Sequence, residues 1–253
     1  MSKMNLVITG VSSEIGIEVA NRVASASNVL LVTSRKTEVD GFKPNFPKSV
    51  YHLQGLDLTR ETDTLKVSHV ARELFNKPFC WLHCAGSFWR HKSLEDTSLE
   101  EAVTMIMSHY VTLYATAKVL IPEMKQVKGG RILALSCNSV RYNYPEMAAF
   151  TSAKAAVECL IRCIANEYLK DNVLANCIAL PTVATPTVKS LKLEQYHKYY
   201  IELDKLVDAI INMFVNMSPF VTGNVLSIVK HSPFFYTEGY YTRNREQMET
   251  NLR

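Results

Sequence analysis

The stretch Thr9-Gly10-Val11-Ser12-Ser13-Glu14-Ile15-Gly16 lies between a short apolar run ending at Thr9 and a segment of helical period near Ile15–Ser25. A strand that turns through glycines straight into a helix brings backbone N–H groups together at the helix's positive end. That is the arrangement that closes on a pyrophosphate. Two glycines after a strand also serve as a plain strand-to-helix connection, so the turn alone does not decide between the two uses. The residues around it do.

Outward from the turn, short β-branched runs alternate with longer amphipathic segments, the pattern of βαβ units and a parallel sheet. Strands are predicted at Asn5–Thr9, Val29–Thr33, Val50–Gln54, Phe79–Ala85, Arg131–Ser136, Val173–Ala179 and Val225–Val229. Helices are predicted near Ile15–Ser25, Glu61–Phe75, Leu99–Lys125, Ala148–Leu169 and Leu203–Asn216. No repeat or Gly/Ser linker divides them, which predicts one domain over residues 1–253, with a C-terminal tail from Ser232. In an open parallel sheet, ligands sit beyond the carboxyl ends of the strands. The irregular segments Ser87–Thr97 and Ala184–Tyr200 follow strands and are the places to look for chemistry.

Composition narrows the function classes. The chain has 253 residues, 47% of them hydrophobic and 21% charged, enough for a substantial core, so disorder is excluded as the main state. Its net charge of +4 is spread along the chain, so no basic stripe points to nucleic acid or an anionic membrane. The apolar run near the N-terminus is too short for a signal peptide, and no window reaches the ~18 apolar residues of a membrane span. A cytoplasmic protein is expected, with its six cysteines reduced. Five of them read as small buried hydrophobes; Cys137 is the exception.

Further residues recur in order along the chain. Asp57-Leu58-Thr59 follows the third strand, His83-Cys84-Ala85-Gly86 ends the fourth, and Gly130-Arg131-Ile132 opens the fifth. Ala153-Lys154-Ala155-Ala156 lies in a long helix, Asn176 to Pro186 spans the end of the sixth strand, and Thr222-Gly223 precedes the last. With these motifs the chain resembles the short-chain dehydrogenase/reductase family over nearly its whole length. Thr9–Gly16 is similar to the family's TGxxxGxG turn with Glu14 in place of the middle glycine. His83–Gly86 stands where the family has Asn-Asn-Ala-Gly, and Asn176–Pro186 follows its N-x-I-x-P-G-x-x-x-T segment with Thr182 in the glycine's place.

The resemblance implies a doubly wound, Rossmann-type α/β sheet of about seven parallel strands, and usually a homodimer or homotetramer. It implies cofactor contacts from Gly10, Ser12, Ser13, Ile15 and Gly16 in the turn. The others are Ser34 and Arg35 after the second strand, Asp57 and Leu58 at the adenine, Ala85, Gly86, Lys154, Pro181 and Thr185. After the second strand, Ser34-Arg35-Lys36 offers a hydroxyl and two cations with no carboxylate before Glu38, which favours NADP(H) over NAD(H). Glu14 complicates the turn. Its carboxylate either repels the pyrophosphate, which weakens binding, or turns outward, or caps the helix.

In the family a tyrosine exchanges a proton with the substrate oxygen, a lysine four residues on lowers its pKa, a serine bonds the substrate oxygen, and an asparagine supports a water relay. Tyrosine and lysine at i, i+4 share one helix face. Aligned on Lys154, the tyrosine position holds Phe150, the serine position Cys137 and the asparagine position His109. Only Lys154 is of the usual type.

Three readings stand open. In the first the protein is an NADP(H)-binding oxidoreductase whose proton comes from Tyr142, Tyr144, His109 or a water held by Lys154. In the second it is a non-catalytic regulatory or structural subunit, paired with an active homologue. In the third Cys137 and His109, with His83 and Cys84, carry out non-redox chemistry as a nucleophile–base pair. No metal is expected. The ligand is a small molecule of unread class; residues 187–200 mix three lysines with three tyrosines, the pattern of a segment that meets an anionic or sugar-like ligand or of an amphipathic lid helix with a solvated basic face.

Overall fold

The computed structural model describes residues 4–34, 47–191 and 194–229, with backbone only at 195 and 196. Strand β1 (Met4–Thr9) feeds the glycine turn and α1 (Glu14–Val23). Then come β2 (Ser27–Val32), β3 (Val50–Leu53), α2 (Glu61–Leu74) and β4 (Phe79–His83). Helix α3 (Leu99–Ile106) runs through a π-turn at Met107–Val111 into α4 (Thr112–Gln126). They are followed by β5 (Gly130–Cys137), α5 (Ser139–Tyr142), α6 (Ala148–Glu167) and β6 (Val173–Leu180). Helices α7 (Pro186–Leu191) and α8 (Leu203–Asn216) precede the last strand, β7 (Val225–Ser227).

Among the described residues the strands form one parallel sheet in the order β3-β2-β1-β4-β5-β6-β7. Every predicted strand is present within two residues of its expected ends; the central strands, buried on both faces, read as near-continuous apolar runs. Strand β6 is buried at all eight positions. One apolar layer packs Trp81, Phe79, Leu120 and Ile161 beneath α2, α4 and α6. The other packs Leu6, Ile8, Leu31 and Ile210 beneath α1 and α8. This is the single-domain, doubly wound α/β fold expected. The strand order reverses between β1 and β4, so the crevice for a ligand opens there.

Three local features differ from the expectation. The helix predicted as continuous over Leu99–Lys125 contains the π-turn, whose looser winding apolar periodicity cannot report. The irregular segment Ala184–Tyr200 contains α7 and a 3-10 turn at Glu194–Tyr199, and Tyr200 is wholly buried rather than facing a ligand. The thiols of Cys159 and Cys163 lie exposed on α6, so they are not the buried filler expected. Among the described residues, no helix is long and apolar enough to cross a membrane. Arg35, Lys36 and the tail from Ser232 lie outside the described residues.

Candidate active site

The glycine turn is built by contact with the β4 loop. Gly10 has φ +72, and a Cβ there would lie 2.4 Å from the Cα and N of Ala85, so only glycine fits. Cys84 N–H donates to the Thr9 carbonyl at 2.9 Å, fastening the two loops at the point where the strand order reverses. Ser13 is the N-cap of α1, its Oγ accepting from Gly16 N–H at 3.1 Å. A Cβ on Gly16 would sit 2.9 Å from the Cα of Val11. The first N–H groups of α1, those of Glu14 and Ile15, have no intrahelical acceptor. Ser12 and Ile15 are half-buried at the same turn. These features fit a dinucleotide phosphate. The Glu14 carboxylate turns away from its own helix: Oε1 accepts from the N–H and the hydroxyl of Thr187, at 2.8 and 3.1 Å.

The other expected cofactor positions divide. Ser34 is exposed just beyond β2. Asp57 is engaged within its own loop, its Oδ1 accepting from the N–H and hydroxyl of Thr59 at 3.0 and 2.6 Å. Leu58 is buried in the core beside α2. Ala85 and Gly86 line the mouth of β4, and Pro181 and Thr185 follow β6. Thr185 caps α7, its Oγ1 accepting from Val188 N–H at 3.3 Å.

Beneath the cleft lies His83, 2% exposed. Trp81 Nε1–H donates to Thr9 Oγ1 at 2.9 Å, which leaves the single Thr9 hydroxyl proton for His83 Nδ1, also at 2.9 Å. The Thr112 hydroxyl donates to the Ser108 carbonyl at 2.7 Å and therefore accepts from His83 Nε2–H at 3.4 Å. The bonding pattern assigns a neutral, Nε2-protonated imidazole. Burial, reinforced by the nearby Lys154 charge, lowers its pKa to about 3.

His109 is placed by the π-turn. The ring is 3% exposed, donates through Nε2–H to the Ser87 carbonyl at 3.2 Å, and meets Phe150 edge-to-face at 5.3 Å. Its Nδ1 is buried without a hydrogen-bond partner, against Gly86, where any Cβ would come within 2.1 Å of the ring. Burial, then the Lys154 and His83 charges, lowers its pKa to about 2. A neutral imidazole with its one N–H committed to a carbonyl is a poor proton donor at neutral pH.

Lys154 is 8% exposed, and its Nζ donates to the Leu135 carbonyl at 2.8 Å. The ammonium also lies 5.7 Å from the centroid of the Phe150 ring. Burial lowers its pKa, opposed by the thiols of Cys137, Cys177 and Cys84 and by Glu158. Cys137 is half-buried at the end of β5, its Sγ accepting from Ser139 N–H at 3.4 Å. Burial pushes the Cys84 thiol up to about 12. Among the described residues no group of three or more His, Cys, Asp or Glu is placed to hold a metal ion. Tyr142, the last residue of α5, and Tyr144 just beyond it stack on each other at 5.9 Å.

The site therefore brings together the turn at Gly10–Gly16, Ala85, Gly86, His109, Phe150 and Lys154. Arg35 stands apart from this description because it lies outside the described residues. No motif or spacing points to Thr187, which meets Glu14 from 173 positions away, or to the Leu135 carbonyl that holds Lys154. The part that Thr9 and Thr112 play in fixing the His83 tautomer was equally hidden, since a threonine at a strand end or within a helix does not show by spacing which side chain it meets.

A profile of the short chain dehydrogenase family matches residues 4–195, from β1 through the first residues after α7. The chain belongs to the short chain dehydrogenase family. It is 27% identical over 204 residues to a fatty acyl-CoA reductase of Acinetobacter baylyi, covering 75% of this chain and 66% of that protein. It is 31% identical over 140 residues to a bifunctional ribulose 5-phosphate reductase/CDP-ribitol pyrophosphorylase of Haemophilus influenzae, covering 55% of this chain and 28% of that protein. The chain thus spans just under two thirds of the first relative and under a third of the second. Among solved structures, this short chain dehydrogenase superposes on a Tyr-to-Phe variant of ElxO with NADPH bound, with a TM-score of 0.80, 20% identity, and 89% of this chain and 96% of that one covered. At that identity the likeness is one of fold.

Proposed function

We propose that this short chain dehydrogenase binds a nicotinamide dinucleotide, NADP(H) in preference to NAD(H), and acts as an oxidoreductase on a small-molecule carbonyl with an altered proton source. The observation that carries the reading is the fit of Gly10 against Ala85 at the strand-order reversal, beside the start of α1. Gly10, Ser12, Ser13, Ile15, Gly16, Ala85 and Gly86 would hold the dinucleotide, with Ser34 and Arg35 on the 2′-phosphate side. The absence of a carboxylate between β2 and Glu38 and the NADPH-bound ElxO variant support the phosphorylated form. A bound nicotinamide supplies the hydride.

The protein has to supply the proton, and Phe150 has none. His109 keeps its N–H on Ser87. Lys154, the cation under the cleft, is more acidic than an ordinary lysine because burial disfavours its charge, and we assign it the proton, delivered through water. Reduction then requires the ammonium form, so its rate falls as pH rises through the lowered Lys154 pKa. One experiment tests this reading: titrate NADPH and NADH by fluorescence, then follow NADPH oxidation with a panel of aldehydes and ketones. Micromolar NADPH binding with turnover, abolished by Lys154→Met, is expected; absence of binding by either dinucleotide would overturn it.

A second reading has its own support. Lys154 is covered by the Phe150 ring and bonded inward to Leu135, the arrangement of a packed rather than a working lysine. A non-catalytic subunit would bind NADPH, show no turnover with any carbonyl and co-purify with an active homologue. We also assign the protein to the cytoplasm, where its six unpaired thiols stay reduced. Leu99, Val103, Met107 and Tyr114 project exposed from α3, the π-turn and α4, and we assign that face to a homodimer or homotetramer, checked by light scattering.

A further inference from the structure

Glu14 occupies the first position of α1, and Thr187 lies in the first turn of α7, so two helix starts share one carboxylate. Each helix start presents N–H groups without intrahelical acceptors and a partial positive charge. Thr185 satisfies one such group on α7, that of Val188, and Glu14 satisfies another, that of Thr187. Within α1, Ser13 takes Gly16 N–H. The carboxylate that holds the start of α7 is therefore carried by the first residue of α1, the helix whose own start would receive a phosphate. Two anions held at one helix start repel each other unless one withdraws.

We propose that Glu14 is a clasp: it fastens α7 to the glycine turn, and an incoming dinucleotide has to open it. The inference rests on the dinucleotide reading above. Opening has a consequence beyond affinity. Segment 185–191 follows β6 at the same edge of the crevice as the turn, so nucleotide binding and release of α7 are linked, and each favours the other to the same degree. A charge that only repelled phosphate would weaken binding without this linkage to α7.

The test uses the full chain and three variants, Glu14→Gly, Glu14→Gln and Thr187→Val. Amide hydrogen exchange in the peptide covering 186–191 is measured without nucleotide, and NADPH and NADH are titrated separately. In Glu14→Gly the exchange of the Thr187 and Val188 amides is expected to rise about tenfold or more, and the Kd for NADPH to fall about tenfold. Glu14→Gln, which keeps an acceptor but not the charge, falls between Glu14→Gly and the unaltered chain. Thr187→Val keeps the carboxylate and its charge but removes one of its two donors, so a fall in Kd of about threefold is expected. Unchanged exchange in Glu14→Gly overturns the clasp, whatever the nucleotide does. Tighter binding in Glu14→Gly with none in Thr187→Val overturns it too, because charge alone would then be acting. If exchange rises as stated but no variant binds either dinucleotide, the dinucleotide reading fails, and the assigned role of the clasp falls with it.

Discussion

The two sides of the cleft were built under different constraints. On the β1–β4 side the backbone itself forms the site: Gly10 and Gly16 exist because neighbouring main chain leaves no room for a Cβ. On the β5–α6 side the site depends on side-chain chemistry, and there Phe150, Cys137 and His109 stand at positions where the family resemblance leads one to expect a phenol, a hydroxyl and an amide. Backbone sterics tolerate almost no substitution, whereas a side-chain role can be lost while packing survives. His109 is held by packing of that kind, its imidazole donating to the Ser87 carbonyl and resting on Phe150.

Acid should erase the difference between the two sides, since a neutral histidine lies under each. His83 and His109 have folded pKa values of about 3 and about 2, below the unfolded value of 6.5. Between those limits the unfolded chain binds more protons, so stability is full above pH 6.5 and falls as pH drops. Each histidine contributes about 1.4 kcal/mol per pH unit, or about 4–5 kcal/mol for the pair between pH 6.5 and 4.5. Urea unfolding at the two pH values measures it; half that slope would mean that only one side holds its histidine neutral, and His83→Asn tells which.

Gly10→Ala sharpens the contrast next. A methyl 2.4 Å from the Ala85 backbone at φ +72 should cost about 3–5 kcal/mol in chemical denaturation. A loss below 1 kcal/mol would show that the two loops can separate. Phe150→Tyr, on the other side, should leave stability within about 1 kcal/mol. It should also raise ketone reduction about a hundredfold, the scale of general acid catalysis, if the rest of that side is intact. No gain in rate would mean that the side-chain half has diverged beyond one residue. Smallest is Asp57→Asn. Because the exposed carboxylate serves mainly its own turn with Thr59, a stability change of about 0.5 kcal/mol or less is expected, with NADPH affinity unchanged. A large loss of affinity would instead assign Asp57 a direct nucleotide contact.

Much of this architecture was legible without coordinates. The strand positions followed from apolar runs and the crevice from the glycine turn, because both signals are local. Phe150 and Lys154, four residues apart in sequence, lie together in the fold, the ammonium 5.7 Å from the ring centroid, as their i, i+4 spacing on one helix predicts. What stayed hidden were the partners: the Leu135 carbonyl under Lys154, the threonines that fix the His83 tautomer, and the π-turn that carries His109. Helical period reports which face is apolar and says nothing of a locally wider turn. Glu14 was legible as an intruder in the glycine turn, but repulsion, outward exposure and helix capping were equally consistent with its position.

The sequence by itself determined the α/β class, the strand order's raw material and the family, because these depend on residue type and local spacing. Only the tertiary structure decided what the side chains of the site do. It bonded Lys154 inward, made both histidines neutral by burying them, and joined Glu14 to Thr187 at the start of α7. Desolvation and a hydrogen bond spanning 173 positions are properties of the folded surroundings, and no window of sequence contains them.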